Sequence, residues 1–528
     1  MPPRRIVPAA TLLAAALAAV YLVWAPPSED LAAAIFRADL FDREGFVLWN
    51  NDWYSGHYLL SYSVTYPPLG AWLGPQLVGA LSVVAAAALF AALAERRFGD
   101  RALIAALWFA AAAASWLLTG RMPFLLAVPF GLAALLAADR DRLVLAAVAA
   151  ALASLASPVA GLFVALAGAA IWLAGRRARG ATIAVAAAAP IVARNLAFPT
   201  GGEEPFVFSA FIAIPAVAIA ALLLVPREYR SLRIGAALYA ALAVALYLVD
   251  NPLGGNVTRL GTLFAGPVAV LVLWPRGRWV VLAVALPLLY WQLVAPVRDV
   301  RKGAGDPATE RSYFEPLNAE LAGLGPEPFR TEIPPTRNRF EAAYVALDHP
   351  IARGWLRQLE SEDFDLFTDG GLTPDAYREW LADHGISYVA VPDAELDYLA
   401  EDEVALIDGG LDYLEPVWRS ADWRLYRVRG EPGLAGHGIN ELSTDELRVD
   451  PGRAAGDLPL RWSRYWRVTE GDGCVTESDD GMTVVEGSGP LTIANRLTGD
   501  SCPSGSSDCS TSRSSRRDRS RRSAGWRS

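Results

Sequence analysis

Pro26–Gly70 reads PPSEDLAAAIFRADLFDREGFVLWNNDWYSGHYLLSYSVTYPPLG, with an apolar run on either side. A polar stretch of this length between apolar runs marks a membrane protein that keeps a working loop on one face of the bilayer. Most other loops before residue 297 are only a few residues long. The stretch holds acids, one histidine, many aromatic rings and a Pro-Pro turn. Its meaning depends on which side it faces, and on whether Asp30 is a base or only a helix-terminal charge.

A bilayer core needs about 17–25 mainly apolar residues per helix. Working outward, such runs fall near 6–24, 70–94, 102–118, 122–138, 143–157, 159–175, 181–194, 206–226, 233–249, 259–274 and 278–296. The expected fold is therefore a polytopic α-helical membrane protein of about eleven spans, filling residues 1–297, with a large first outer loop at 25–69. With the N-terminus inside, the inner turns hold about fifteen arginines, among them Arg96-Arg97, Arg140, Arg142 and Arg176-Arg177, against about five in the outer loops. That is the positive-inside asymmetry. It predicts a multi-pass cell-membrane protein with a cytoplasmic N-terminus and extracytoplasmic C-terminal domains. A cleaved signal peptide over the first run would leave the remaining topology unchanged.

The net charge of -9 and the 53% hydrophobic content average over segments in different surroundings, so they give no reason to expect a nucleic-acid partner. Beyond residue 297 the composition becomes that of a soluble domain. Residues 298–430 alternate helical and strand-like runs. Thr373–His384 has a Thr cap, a Pro at the first helical position and amphipathic spacing, and Ile386–Pro392 is a buried-strand pattern. An α/β domain closed by a hairpin near 416–418 and 423–428 is expected. Residues 431–499 give short alternating strands, such as 460–468 and 482–486, and predict a small β-sandwich. The Ser/Arg-rich end, 500–528, lacks apolar content and is expected to be disordered. Cys474, Cys502 and Cys509 are the only cysteines. A Cys474–Cys502 disulfide and three unpaired thiols both fit that spacing. No zinc or P-loop pattern occurs, so no metal ligand set is assigned.

Within the loop, Ser28 can cap a helix running to about Phe41, with Leu31, Ile35 and Phe36 turned to lipid. Asp30 then either complements the helix dipole or waits at the membrane surface to take a proton from an acceptor hydroxyl. Asp52, Trp53, His57 and Tyr66 follow. Mixed aromatics, amides and acids suit sugar contact, and interfacial Trp and Tyr are equally at home as membrane anchors.

The order of Asp30, Arg37, Gly45, Trp49, Gly56 and Tyr66-Pro67-Pro68-Leu69 resembles the first outer loop of GT-C superfamily membrane glycosyltransferases. It is similar in particular to bacterial membrane proteins grouped under a 6-pyruvoyl-tetrahydropterin synthase-related domain name, a label that implies no pterin chemistry. Two departures stand out: Ala34 occupies a place where relatives often carry His, and the 119–123 turn holds no second acid. The resemblance implies a polyprenyl-phosphate-linked sugar as donor, a cell-envelope glycan or lipid as acceptor, and Asp30 as general base, and it leaves divalent-metal dependence open. A lipid phosphate calls for arginine, which binds it through paired N–H groups. Arg121, Arg194 and Arg259 lie at outer span ends, where snorkelling to membrane lipid is the alternative. Asn256 and its neighbouring glycines could bring backbone N–H groups to an anion. Glu203 and Glu204 are the candidates for a second acid. Two other classes stay open: a lipid or glycan transporter or flippase, and a non-catalytic membrane-anchored envelope scaffold.

Overall fold

The computed structural model describes residues 5–199, 201–360, 366–367, 370–453 and 457–502. The 503–528 tail, with Cys509, lies outside the described residues.

The first half of the chain is helical. Helix α1 (Ile6–Trp24) stops at Ala25, which takes a left-handed conformation ahead of Pro26-Pro27. Next come α2 (Glu29–Glu44), α3 (Tyr66–Leu73), α4 (Pro75–Phe98), α5 (Ala102–Ser115), α6 (Met122–Asp139), α7 (Leu143–Ala156), α8 (Pro158–Leu173) and α9 (Arg177–Ala197). They are followed by α10 (Phe208–Phe211), α11 (Ala213–Leu224), α12 (Arg230–Leu248), α13 (Thr258–Leu273) and α14 (Arg278–Gly303). Alanine makes close packing possible: Ala10, Ala14 and Ala18 on α1, and Ala146, Ala150 and Ala153 on α7, are all buried.

Among the described residues, seven stretches are long and apolar enough to cross a membrane; one, Pro75–Thr119, spans 45 residues and contains both α4 and α5. These two double back on each other, and Phe90 stacks on Phe109 with ring centroids 4.2 Å apart. Leu143–Ala156, Pro158–Leu173 and Phe208–Leu224 are shorter apolar helices. Length and composition alone therefore do not give the expected count of about eleven. The second expected run is also broken: Gly74, at φ +81, and Pro75 separate α3 from α4. At one end of the bundle the arginine-rich turns pair internally, Arg96 with Asp139 at 3.1 Å and Arg179 with Asp141 at 2.6 Å. The Pro26–Gly70 loop and the C-terminal domains cover the other end.

The α/β domain is built on a four-stranded sheet. Strand β1 (Arg330–Glu332) runs parallel to β2 (Ile386–Pro392), and β2 is antiparallel to β4 (Trp423–Val428), which pairs with β3 (Leu414–Arg419). The strand Ile386–Pro392 and the hairpin near 416–418 and 423–428 fall where the sequence pattern puts them because their signals are local, whereas Arg330–Glu332 carries no such signal. The Thr373 hydroxyl caps the helix Pro374–Asp383 by accepting the Ala376 N–H at 3.2 Å.

The β-rich domain has two sheets, one of four strands and one of three. Its core, including Leu447, Leu460, Trp466 and Ile493, also takes in Trp49 and Tyr58 from the first loop. The single strand expected at 460–468 is instead two, Leu458–Arg461 and Trp466–Glu470, in different sheets. Buried Ser463 makes the break by accepting the Tyr465 N–H at 3.2 Å. Cys474 and Cys502 form a disulfide.

Candidate functional site

Helix α2 is not the lipid-facing helix expected from its pattern. Leu31 and Phe36 are buried in protein, and Phe36 stacks on Trp53 with ring centroids 4.0 Å apart. An apolar face reads the same whether lipid or protein covers it, and here the α/β domain and the loop supply the cover. Ser28 stands at the N-cap, yet its side chain makes no capping bond. The backbone of Gly120 packs against the first turn instead, so closely that a Cβ there would meet the Leu31 nitrogen at 2.4 Å. Gly120 also sits at φ +72, and both constraints require glycine. This approach carries Arg121 across the helix start, where its Nε donates to Asp30 Oδ2 at 2.6 Å.

Three further guanidinium groups gather around Tyr62. Arg194 Nη1 donates to the Tyr62 carbonyl at 3.2 Å. Arg37 lies 4.7 Å from the Tyr62 ring centre. Arg259 has the Tyr62 side chain among its partners and lies 5.4 Å from the Phe124 ring centre. Arg259 is 4% exposed and its Nη2 donates to Asn256 Oδ1, but Nε and Nη1 make no hydrogen bond of good geometry. The Nε atoms of Arg37 and Arg194 are likewise buried without partners. Buried donors almost always find acceptors, so several left open in one place mark a site that an anion would complete.

Glu204 ties the cluster together. Burial raises its carboxyl above the usual carboxylate range, while Arg357, Arg259 and Arg121 act on it as countercharges and Asp30 as a like charge. Asp30, Arg121, Arg259, Asn256 and Glu204 thus meet at one end of the bundle, and Arg194 reaches the backbone of Tyr62. Glu203 is exposed, and its backbone N–H donates to the Gln358 carbonyl at 3.0 Å.

The remaining candidates sit elsewhere. Trp53 is wholly buried and donates to the Ala342 carbonyl at 3.2 Å, leaving no face for a ligand. Tyr66 is equally buried, its hydroxyl donating to the Ala34 carbonyl at 3.1 Å. Asp52 is buried against the β-rich domain, where the Thr444 hydroxyl donates to it at 3.4 Å; burial pushes its carboxyl up to about 7. His57 is buried, stacks on Trp53 with ring centroids 5.6 Å apart, and belongs to the lining of a separate cleft.

Sequence reasoning did not single out Tyr62, nor a chain of ion pairs leading away from the site. Glu29, beside Asp30, pairs with Lys302 at 3.3 Å and with Arg357 at 2.8 Å. Arg357 also pairs with Asp397, which accepts from Arg339 at 3.4 Å, and Arg339 pairs with Glu360 at 2.6 Å. One weak signal was present: Lys302 is the only lysine in the chain.

Below Arg259, on the same helix, Leu260, Gly261 and Phe264 help line an apolar cavity of about 370 Å³ between α8 and α11–α14. A cationic pocket above an apolar slot can hold a molecule with an anionic head and a hydrocarbon tail. Among the described residues, no group of three or more His, Cys, Asp or Glu side chains is arranged to hold a metal ion. No protein-family model and no curated protein matches the chain.

Proposed function

We propose that the chain is an integral-membrane, GT-C-like glycosyltransferase. It moves a sugar from a polyprenyl-phosphate donor to a cell-envelope glycan or lipid at the outer face of the membrane. In this reading the chain crosses the bilayer about eleven times, with the N-terminus cytoplasmic and the C-terminal domains outside.

The observation that carries the reading is the buried Arg259 guanidinium, whose Nε and Nη1 make no hydrogen bond of good geometry, next in the chain to the residues that line the apolar slot. Arg259, Arg194 and Arg37 hold the donor phosphate, and the slot takes the first part of its chain. The acceptor hydroxyl attacks the anomeric carbon as the bond from that carbon to the phosphate oxygen breaks. The hydroxyl proton passes to Asp30, the bonding pair leaves with the polyprenyl phosphate, and the arginines stabilise its charge. One displacement inverts the anomeric centre. Arg121 orients Asp30 through the hydrogen bond from its Nε.

Full-length protein in nanodiscs is offered a panel of labelled polyprenyl-phosphate sugars with a cell-envelope extract. Asp30→Asn should abolish transfer without lowering protein yield, and retained transfer would rule out the assigned base. The closed Asp30–Arg121 pair favours a second reading, a membrane-anchored scaffold in which that pair only fastens α2 to the bundle. On that reading no donor in the panel is consumed by the wild type.

A further inference from the structure

The arginine cluster contains one acid whose charge is not answered at close range. Asp30 pairs with Arg121 at 2.6 Å, Glu29 with Arg357 at 2.8 Å, and Asp299 with Arg298 at 2.8 Å. Glu204 forms no salt bridge among the described residues. Arg357, Arg259 and Arg121 act on it as more distant countercharges, and Asp30 opposes it.

The backbone fixes where this carboxylate stands. Its loop runs between the turn ahead of Arg259 and the turn that holds Arg357. The Glu203 N–H donates to the Gln358 carbonyl and the Glu204 N–H to the Asn251 carbonyl, each at 3.0 Å, and the Gly255 N–H donates to the Pro205 carbonyl at 3.3 Å. Gly254 lies so close that a Cβ there would meet the Glu204 carbonyl oxygen at 2.1 Å and its Cγ at 2.8 Å. The side chain itself is half-buried, so its charge reaches whatever enters the cluster. Arg37, Arg194 and Arg259 meanwhile hydrogen-bond to neutral groups: the Ala33 carbonyl, the Tyr62 carbonyl and the Asn256 side chain. The Tyr62 side chain also lies beside Arg259.

A carboxylate held among cations makes affinity depend on the charge of the ligand, because its repulsion scales with that charge. A polyprenyl-phosphate sugar is a phosphodiester with one negative charge. Once the sugar has gone, the lipid is a monoester whose second ionisation lies near about 6, so it approaches two charges in neutral solution. We propose that Glu204 is the residue that sets this charge selectivity, loosening the doubly charged spent lipid more than the singly charged donor. The proposal rests on the reading that the arginines seat a lipid phosphodiester, and it adds how the product is released.

The test is isothermal titration of the full-length protein in nanodiscs at pH 8 with two probes, polyprenyl phosphate and its methyl diester. Glu204→Gln keeps the shape and removes the charge. It should bind the diester about threefold tighter than the wild type and the monoester about tenfold tighter, since the second charge squares the effect. Glu204→Asp, which keeps the charge, should retain the wild-type ratio of the two affinities, and Glu203→Gln should change neither affinity. Weaker binding of both probes by Glu204→Gln would show that the acid only props the arginines, and an equal gain for both, or none, would show that it does not read charge. Each result would overturn the proposal. Any of them, with transfer still abolished by Asp30→Asn, would leave the transferase reading standing, whereas a wild type that binds neither probe would remove both.

Discussion

Replacing Arg259 with Met should make the empty protein more stable and the liganded protein less so. In the folded chain Nε and Nη1 are buried without partners, and each such group costs about 1–3 kcal/mol. Against that stand one charge-assisted bond to Asn256, contributing about 1.5–3 kcal/mol, and the weaker contacts with Tyr62 and the Phe124 ring. Methionine is of similar length and carries no charge to desolvate, and exchanging buried ionic groups for apolar ones is often neutral or stabilising by about 1–4 kcal/mol. The expected net gain is about 1–3 kcal/mol. Thermal unfolding is measured in nanodiscs with and without sugar-free polyprenyl phosphate. Without lipid, Arg259→Met should melt above the wild type. With lipid at a hundredfold excess over Kd, the wild type should gain about 2.7 kcal/mol and the variant almost nothing. If the variant melts lower without ligand, and both proteins respond equally to the lipid, Arg259 supports the fold and the anion site does not exist.

Two residues of the first loop give pH effects of opposite sign. Burial raises Asp52 to about 7, so its contribution to stability is present below the unfolded carboxylate pKa and is lost as pH rises towards 7. Burial depresses His57 to about 3, so its contribution is present above the unfolded imidazole pKa and is lost as pH falls towards 3. In denaturant titrations between pH 4 and 6.5, Asp52→Asn should lose stability towards acid and His57→Gln should gain it; slopes of the same sign in both variants would contradict the burial argument. A separate expectation concerns Arg330, whose Nη1 donates to Ser55 Oγ at 3.0 Å, to the Pro459 carbonyl at 2.9 Å and to the His384 carbonyl. Arg330→Met leaves two carbonyls unpaired at about 1–3 kcal/mol each. Hydrogen exchange should then quicken together in the loop, the α/β domain and the β-rich domain, whereas a rise confined to one would show that the guanidinium does not join them.

The parts of this fold that were readable from the sequence are those whose causes lie within a few residues. Pro374–Asp383 announces itself through its cap and apolar spacing, and Ile386–Pro392 through its β-branched run. Helix α1 ends where Pro26-Pro27 forbids continuation. Helix α2 was located, but its environment was misjudged, because the pattern of Leu31 and Phe36 specifies only that something apolar covers them. The site was half legible. Arg121 and Arg259 stand out as arginines at the wrong ends of apolar runs, against the charge trend. Tyr62 has no such mark among the many rings of its loop, and Arg357 reaches Glu29 only through tertiary folding.

The run of ion pairs from Lys302 and Glu29 through Arg357, Asp397 and Arg339 to Glu360 bears on how the molecule can be taken apart. A cut after α14 would strand Arg357 without the Glu29 carboxylate that it shares with Lys302. A soluble fragment beginning near residue 304 would also lack Phe36 and Trp53, which pack beneath its inner face. The membrane half is thus a structural component of the domain it carries, and mechanical or proteolytic separation of the two should unfold the carried part rather than release it.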